Sequence, residues 1–350
     1  MEQLKAILVG AGFWGSGWAK VLADSPDASI AAIVDSNRQA LDTVSASVGL
    51  DEKCRFSEFG QAVDSVEADA AIVVVPPEQH HEIAVAALEA GLHCLIEKPF
   101  APALSQASEI VDAGESANRT VMVSQTFRFR QGARTVQRLI QEGAIGTIGA
   151  VHGRLFKSMP NFGPDNFRTL MPEPIIVDQT IHHFDFIRGI FGLEPVRVRG
   201  YSYNPKWSWF QGHANALVDF ETSDGTFVSY SGSWVSQGSP EVNTTIDGSW
   251  DIQGDAGAIQ WNHNFVKLVP TDFGDVVYRK GTLERYGQVL DVPLVALEHQ
   301  ERAGVLAEFA ASIREGRAPE TNGRDNLKTL ALVLKAVESC SQDGIWLDLA

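Results

Sequence analysis

The order of apolar and polar positions divides the chain into two parts. Up to about residue 125, short and nearly continuous apolar runs alternate with amphipathic stretches. The apolar runs predict strands that are buried on both faces, and the amphipathic stretches predict helices that cover them. We therefore predict a doubly wound parallel sheet. Its strands are expected near residues 5–10, 29–35, 68–77, 92–99 and 120–125.

Beyond residue 125, apolar and polar residues alternate within single strands. Residues 214–234 predict a hairpin that turns at Asp224-Gly225, and residues 244–261 predict another. This pattern indicates a mostly antiparallel sheet with one face against helices and the other face available. Further strands are expected at residues 265–269 and 275–279, and closing helices at residues 303–316 and 325–340.

Composition and charge narrow the possible partners. The 350 residues are enough for two domains, which we place at residues 1–125 and 126–350. With 44 acidic against 28 basic residues, the net charge of -16 would repel a nucleic acid backbone or an anionic membrane. No apolar run reaches the roughly 18 residues that a membrane helix needs, and the three cysteines have no CxxC spacing. We expect a cytoplasmic protein.

A glycine-rich turn follows the first predicted strand. Gly10-x-Gly12-x-x-Gly15 stands between this strand and a helical stretch, and Asp35 ends the second strand. In a dinucleotide-binding turn, the first glycine permits the tight turn, the second lets a pyrophosphate approach, and the third packs helix against strand. A carboxylate at Asp35 would accept hydrogen bonds from ribose hydroxyls and repel a 2′-phosphate. We therefore predict NAD as the cofactor, while Arg38 keeps NADP possible.

Two further strands end in residues that suit a ligand site, because ligands bind beyond the carboxyl ends of strands in such sheets. Glu97-Lys98-Pro99 ends one strand, and Lys98 is either a ligand-binding group or a solvated surface lysine. His80 follows another strand and either contacts the ligand or only begins a helix. The predicted cofactor contacts are Gly10, Gly12, Phe13, Trp14, Gly15, Asp35, Arg38, Val75, Pro76, His80, Glu97 and Lys98.

The stretch DQTIHHFD, residues 178–185, places two histidines between two aspartates. If it is α-helical, Asp178, His182 and Asp185 fall within roughly 60° of one another at about 100° per residue. His183 falls on the apolar side, where we expect a packed histidine and a substrate contact is the alternative. The polar side suits either an acid/base apparatus or a metal site.

These motifs occur in the order found in the Gfo/Idh/MocA oxidoreductase family, which the whole chain resembles. The resemblance rests on Gly10-x-Gly12-x-x-Gly15, Asp35, Pro76-x-x-x-His80, Glu97-Lys98-Pro99 and Asp178-x-x-x-His182-x-x-Asp185. It implies an N-terminal Rossmann domain, a C-terminal α/β domain with an open, mostly antiparallel mixed sheet, and oligomers formed through that sheet. It also implies that Lys98, Asp178 and His182 are catalytic and that Arg168 reaches cofactor or substrate.

The chemistry of these residues agrees with a dehydrogenase that acts on a secondary alcohol. His182 titrates near neutral pH and suits a base that takes the hydroxyl proton. Asp178 could orient the imidazole, and Lys98 would stabilise the developing alkoxide. The resemblance implies a sugar, cyclitol or related polyol as substrate, bound by Lys98, Arg168, Asp178 and His182. Where family members carry glycines before the aspartate, this chain has PEPIIV at residues 172–177, which should reshape the pocket wall.

Three other functions stay open at this point. The first is a metal-dependent hydrolase that uses Asp178, His182 and Asp185 as ligands, although we expect no metal here. The second is an NAD-dependent glycosidase, which would use the same redox chemistry transiently. The third is a sensor that binds the cofactor without turnover, which the joint presence of Lys98, Asp178 and His182 argues against.

The distribution of tryptophan bears on assembly. Six of the eight tryptophans lie beyond residue 200, in the part of the chain that contains the predicted antiparallel sheet. An exposed aromatic face there would be either a platform for sugars or a subunit interface. We expect the interface, and hence a homodimer or homotetramer formed through the C-terminal sheet.

Overall fold

The computed structural model describes residues 3–237, 246–262, 265–270, 277–279, 282–284 and 289–349. The chain forms two compact units. The first contains Met1–Phe129 and Glu298–Leu330, and the second contains Arg130–Leu297 and Ala331–Ala350. We predicted one boundary at residue 125 with both closing helices in the second domain. Instead, residues 298–330 belong to the first unit.

The first unit contains six strands: β1 (Leu4–Val9), β2 (Ala28–Val34), β3 (Arg55–Phe56), β4 (Ala70–Val73), β5 (His93–Glu97) and β6 (Val121–Ser124). They form one parallel sheet in the order β3-β2-β1-β4-β5-β6. β4 and β6 are buried at every position, as expected for strands covered on both faces. The predicted doubly wound sheet is confirmed.

Helices connect these strands, and in this topology they cover the sheet. The change of winding direction falls between β1 and β4, which is where nucleotides bind in such folds. The helices are α1 (Phe13–Asp24), α2 (Arg38–Ser47), α3 (Phe59–Ser65), α4 (His80–Glu89) and α5 (Leu104–Ala117).

The described strands of the second unit are β7 (Ile148–Phe156), β8 (Pro195–Tyr203), β9 (Asn215–Thr222), β10 (Phe227–Ser233), β11 (Ser249–Gly254), β12 (Gly257–Asn262), β13 (Phe265–Pro270), β14 (Val277–Arg279), β15 (Thr282–Glu284), β16 (Leu290–Val292) and β17 (Leu347–Asp348). Nine of them form a sheet in the order β16-β13-β12-β11-β7-β10-β9-β8-β17, and β14 pairs with β15. Only β7 and β10 pair in parallel within the described sheet. The predicted mixed, mostly antiparallel sheet is confirmed, and so are the hairpins β9–β10 and β11–β12. Residues 244–245 and 275–276 of the predicted elements lie outside the described residues.

The remaining helices are α6 (Gln131–Gln141), α7 (Phe167–Leu170), a π-helix (Ile175–Thr180), α8 (Ile181–Gly189), α9 (Glu301–Glu315) and α10 (Gly323–Ser341). α9 belongs to the first unit because its apolar side is buried there: Val305, Leu306 and Phe309 join Phe129 in that unit's core. Hydrophobic burial therefore places α9 in the first unit, although α9 is far from the other residues of that unit in sequence. No helix within the described ranges is long and apolar enough to cross a membrane.

Three of the six tryptophans beyond residue 200 are placed differently from our expectation, whereas Trp207 is 56% exposed. Trp234, Trp250 and Trp261 are each 1% exposed, and the rings of Trp250 and Trp261 pack against Phe186 of α8. They are thus part of the core and do not form an exposed face. The exposed apolar side chains on the strands are Val196, Tyr201, Tyr203, Leu217, Phe227 and Leu290.

Candidate active site

The glycine turn of the first unit leaves room for a ligand at Gly12. Gly10 has a positive φ of 105°, and a Cβ there would lie 2.5 Å from the Val74 carbonyl oxygen. A Cβ on Gly15 would overlap the Gly10 carbonyl. Neighbouring backbone therefore requires these two glycines, whereas a Cβ on Gly12 would meet nothing within 4 Å. This open space at the start of α1 fits the approach of a pyrophosphate.

Two aromatic side chains follow Gly12 and stand in solvent. Phe13 is 83% and Trp14 is 45% exposed, although both are large and apolar. The Trp14 ring lies 4.7 Å from the guanidinium carbon of Arg302, a residue of α9. Sequence reasoning missed Arg302, because nothing in the pattern ties residues 301–315 to the first unit.

Asp35 follows β2 directly and binds the glycine turn. Its Oδ2 accepts a hydrogen bond from the Ala11 N–H at 2.6 Å, and its Oδ1 accepts one from the Asn37 N–H at 2.7 Å. Each carboxylate oxygen keeps further acceptor capacity for a ribose hydroxyl. Arg38 is exposed and forms ion pairs with Asp42 at 3.0 Å and Glu52 at 3.5 Å, so a 2′-phosphate would have to compete with two carboxylates.

His80 was predicted to contact the cofactor, and the structure assigns it a different task. The ring is fully buried; Nε2 lies 2.9 Å from the Val75 carbonyl oxygen, and Nδ1 lies 3.1 Å and 3.2 Å from those of Pro99 and Phe100. Burial lowers the pKa of His80. Because a neutral imidazole has one N–H, His80 donates a hydrogen bond on one side only, either to Val75 or to the Pro99–Phe100 segment, and we revise its role to that of a buried packing residue.

Glu97 was also predicted as a cofactor contact, but both of its carboxylate oxygens accept hydrogen bonds from other residues of the first unit. Its Oε1 accepts hydrogen bonds from the Trp18 indole at 2.8 Å and the Ser124 hydroxyl at 3.1 Å, and its Oε2 accepts the Lys98 N–H at 3.1 Å. Glu97 therefore links α1, β5 and β6 and fixes the backbone at Lys98. The sequence did not indicate Trp18 and Ser124 as partners of Glu97, because neither residue belongs to a motif.

Three predicted residues lie at the carboxyl ends of β4 and β5, the edge that also carries the glycine turn. Val75 and Pro76 follow β4, and Lys98, which is half-buried, follows β5. These positions suit contacts to a ligand that crosses this edge of the sheet.

In the second unit, Asp178 lies in a π-helix and not in the α-helix that we assumed. The i→i+5 hydrogen bonding of Ile175–Thr180 changes the angle per residue, so α-helical spacing does not relate Asp178 to His182. Ile175 packs against Gly232 of β10, where a Cβ would lie 2.7 Å from Ile175 Cδ1. Ile175 and Ile176 are fully buried, so their bulk lies in the core of this unit.

Arg168 and Asp178 form a largely buried ion pair. The Asn166 side chain caps α7 by accepting the Arg168 N–H at 3.0 Å. Arg168 Nε donates to Asp178 Oδ2 at 2.7 Å, and the two side chains are 18% and 15% exposed. The guanidinium also lies over the Phe167 ring at 4.6 Å. Asp178 thereby gains a charged partner and a fixed direction.

The adjacent histidines have different surroundings. His182 is 6% exposed and is the second residue of α8, which directly follows the π-helix. His183 is fully buried: Nε2–H donates to the Ile246 carbonyl at 2.9 Å, which leaves Nδ1 to accept the Tyr230 hydroxyl at 2.6 Å. Burial lowers the pKa of His183 to about 4. His183 is therefore a neutral packing residue, as expected.

The metal hypothesis finds no geometric support. Asp185 is 1% exposed and therefore lies inside the unit. Among the residues that the structure describes, no group of three or more His, Cys, Asp or Glu side chains is placed to hold a metal ion.

Comparison with known families agrees with this geometry. Residues 4–125 match the model described as the oxidoreductase family with an NAD-binding Rossmann fold. Residues 133–260 match the Gfo/Idh/MocA C-terminal domain. The chain belongs to the Gfo/Idh/MocA oxidoreductase family. The predicted family, enzyme class and NAD-binding domain are thereby confirmed.

Individual relatives span the whole chain at low identity. A D-apiose dehydrogenase of Rhizobium rhizogenes is 27% identical over 97% of this chain and 96% of its own length. A levoglucosan dehydrogenase of Pseudarthrobacter phenanthrenivorans is 24% identical over 100% and 99%. Among solved structures, an Agrobacterium radiobacter oxidoreductase in complex with NAD+, L-tartaric acid and magnesium superposes with a TM-score of 0.86. It is 22% identical and covers 99% of both chains, which supports the fold.

Proposed function

We propose that this Gfo/Idh/MocA protein is an NAD-dependent dehydrogenase that transfers hydride between nicotinamide and a secondary alcohol of a sugar, cyclitol or related polyol. The observation that carries the proposal is the open space at Gly12 beside the Asp35 carboxylate, within a unit that matches an NAD-binding fold. The substrate class is supported by the relatives named for apiose and levoglucosan, together with an inositol 2-dehydrogenase of Rhizobium meliloti that is 23% identical.

The first unit would hold the cofactor. The pyrophosphate would bind at Gly12 and the N-terminus of α1, and Asp35 would accept hydrogen bonds from the ribose. Val75 and Pro76 would contact the cofactor beyond the end of β4. When bound, the nicotinamide supplies the acceptor of the hydride during oxidation and its donor during reduction.

The acid/base work would fall to three side chains. His182 would take the hydroxyl proton during oxidation and return it during reduction. Asp178, held by Arg168 at 2.7 Å, would orient the imidazole and stabilise its protonated form. Lys98 would donate a hydrogen bond to the reacting oxygen and stabilise the developing alkoxide.

A substrate panel tests the proposal. The purified protein is incubated with NAD+ and with sugars, cyclitols and sugar acids, and NADH is followed by its absorbance. We expect NADH with at least one compound, and equal rates after treatment with EDTA. Glycoside cleavage without net NADH would instead favour the transient redox chemistry of a glycosidase. Activity that is lost on chelation and restored by zinc would contradict the dehydrogenase mechanism.

The sheet of the second unit is the surface that we propose for self-association. Tyr201 of β8 and Leu217 of β9 are direct neighbours and are 56% and 48% exposed. Covering such apolar side chains favours a dimer or tetramer. Sedimentation should therefore detect a stable oligomer that Leu217→Asp weakens, while Leu104→Asp, on α5 of the first unit, leaves it intact. A wild-type monomer at micromolar concentration would contradict this assignment.

A further inference from the structure

Arg302 is a cation beside α1 that the function described so far does not use. It is the second residue of α9, and the burial of Val305 and Leu306 fixes α9 within the first unit. Gly304 lets α9 approach closely, because a Cβ there would lie 2.8 Å from Phe129 Cβ. The backbone that carries Arg302 is therefore held against the core of the first unit.

The guanidinium of Arg302 lies beside the beginning of α1. Its Cζ is 4.7 Å from the centre of the Trp14 ring, and a Cβ on Gly17 would lie 2.9 Å from its Nη1. Gly17 thus leaves the space that the guanidinium occupies along α1. Side chains of an α-helix lean towards its N-terminus, so the Trp14 ring and the guanidinium over it lie at the N-terminal end of α1. This is the end at which Gly12 leaves open space.

This guanidinium has no anionic partner among the residues that the structure describes. Arg302 forms neither a hydrogen bond nor an ion pair with any of them. Its Nε is inaccessible to solvent and has no partner, whereas Nη1 and Nη2 are not enclosed in this way. A buried N–H without a partner destabilises a fold, so packing alone does not account for an arginine here. The contact with the Trp14 ring uses none of the N–H donors as hydrogen bonds, which leaves the terminal ones for a ligand.

The ligand expected at the glycine turn is an anion that needs such donors. A dinucleotide pyrophosphate carries about two negative charges, and a helix N-terminus supplies the equivalent of only about half a positive charge. The first turn of α1, Phe13-Trp14-Gly15-Ser16, contains no basic side chain. A cation from another segment would therefore strengthen binding in a protein whose net charge is -16. The planar guanidinium of Arg302 suits this task, because its N–H groups match the spacing of phosphate oxygens.

We propose that Arg302 is a further cofactor-binding residue and that its terminal N–H groups donate hydrogen bonds to the pyrophosphate of the dinucleotide. This inference rests on the binding of NAD in the first unit, which the proposed function requires, and is independent of the substrate and of the acid/base residues. Trp14 then has a role as well. Its half-exposed ring supports the guanidinium beside the glycine turn.

Affinities for dinucleotides test the proposal. Arg302→Met removes the charge and the donors but keeps an unbranched side chain that packs well on an aromatic ring. We expect this change to weaken the binding of NADH at least about tenfold, because hydrogen bonds to a charged group are lost. Binding of ADP-ribose, which contains the pyrophosphate but no nicotinamide, should weaken by a similar factor. Calorimetry with the full-length protein measures both affinities and that for NADPH.

A matched arginine on the same helix serves as the control. Arg314 lies in the last turn of α9 and pairs with Asp27 at 2.8 Å. Arg314→Met makes the same chemical change away from the glycine turn and should leave the affinity for NADH at its wild-type value. Thermal unfolding without ligand separates binding from structure: Arg302→Met should unfold at or above the wild-type temperature, because it removes a buried donor that has no partner.

A double-mutant cycle tests the placement of the guanidinium against α1. Gly17→Ala should weaken NADH binding in the wild-type background, because its methyl group displaces the guanidinium. In the Arg302→Met background the same methyl group should leave the affinity unchanged. An equal loss in both backgrounds would show that Arg302 does not mediate the effect of Gly17→Ala and would contradict the proposed contact.

The possible failures are distinguishable. If Arg302→Met binds NADH and ADP-ribose as tightly as the wild type, the contact is wrong while the dehydrogenase stands. A loss confined to NADPH, or to ligands that contain nicotinamide, would also overturn the contact with the pyrophosphate. If Arg302→Met weakens both ligands but no alcohol reduces NAD+, the contact stands and the proposed dehydrogenase function fails. A wild type that binds no dinucleotide would overturn both.

Discussion

The glycine turn of the first unit and the junction between the π-helix and α8 in the second unit both carry candidate site residues, but different forces fix them. At the turn, the backbone determines which residue is allowed: Gly10 has a positive φ, and the Val74 carbonyl leaves no room for a side chain there. At the junction, side-chain contacts fix the positions of the site residues: Ile175 packs against Gly232, and Arg168 of α7 donates a hydrogen bond to Asp178. The backbone constraint at the turn can be recognised from a single residue, the glycine. The packing at the junction depends on which residues, distant in sequence, come into contact in the fold.

The largest expected effect separates the two histidines at the junction. His182→Ala should lower turnover about 10²–10⁴-fold while NAD binding is kept, because a general base typically contributes that much. Lys98→Ala should act similarly. His183→Ala is the matched neighbour: it removes contacts to Tyr230 and Ile246, so it should reduce stability and largely keep the turnover of each folded molecule. Steady-state rates normalised to folded protein make the comparison, and an active His182→Ala would require a different base.

The next effect probes the turn. Gly12→Ala should leave thermal unfolding close to that of the wild type, because its Cβ meets nothing within 4 Å. The same methyl group should weaken NAD binding about a hundredfold, since it would occupy the space that the pyrophosphate needs. Calorimetry measures the affinity.

Gly60→Ala is the control for this change, because Gly60 in α3 is exposed and equally unobstructed. Its NAD affinity should equal that of the wild type. Equal affinity in Gly12→Ala would mean that no cofactor approaches the turn there.

These regions also show how far sequence alone reaches. The parallel sheet and the glycine turn were predictable because periodicity and positive φ are local properties of the chain. The π-helix was not, because apolar spacing in DQTIHHFD fits an α-helix and only packing on β10 shows the difference. The roles predicted for His80 and Glu97 need revision because their hydrogen-bond partners come from other segments.

A third effect concerns stability at acidic pH. The pKa of His183 is about 4 in the folded protein because of burial, against 6.5 for an ordinary histidine. Below pH 6.5 the His183 imidazole is protonated in the unfolded chain but stays neutral in the folded chain. The free energy of unfolding therefore falls as the pH is lowered towards 4. Between pH 7 and 5, His183 should reduce the free energy of unfolding by about 2 kcal/mol. Urea unfolding of the wild type and of His183→Gln at both pH values measures this decrease. An equal decrease in the two proteins would show that His183 is not its cause.

The smallest effect concerns the choice of cofactor. Asp35→Ser removes a carboxylate that would bind the ribose and repel a 2′-phosphate, so the preference for NAD(H) over NADP(H) should shrink about tenfold or more. Asp42→Ser, which removes an ion-pair partner of Arg38 and of Arg55 and leaves Asp35 in place, is the control that separates this effect from the release of Arg38. Affinities for both cofactors are measured by calorimetry. Binding of NADP(H) alone by the wild type would contradict the role of Asp35.

The central claim is net hydride transfer from a secondary alcohol to NAD. The most direct measurement uses the best substrate of the panel with deuterium on the carbon that is oxidised, and locates the label by mass spectrometry. We predict that NADH accumulates and carries the deuterium. Hydride transfer to NAD would be contradicted if product formed while NAD+ stayed unreduced, or if the NADH contained no label.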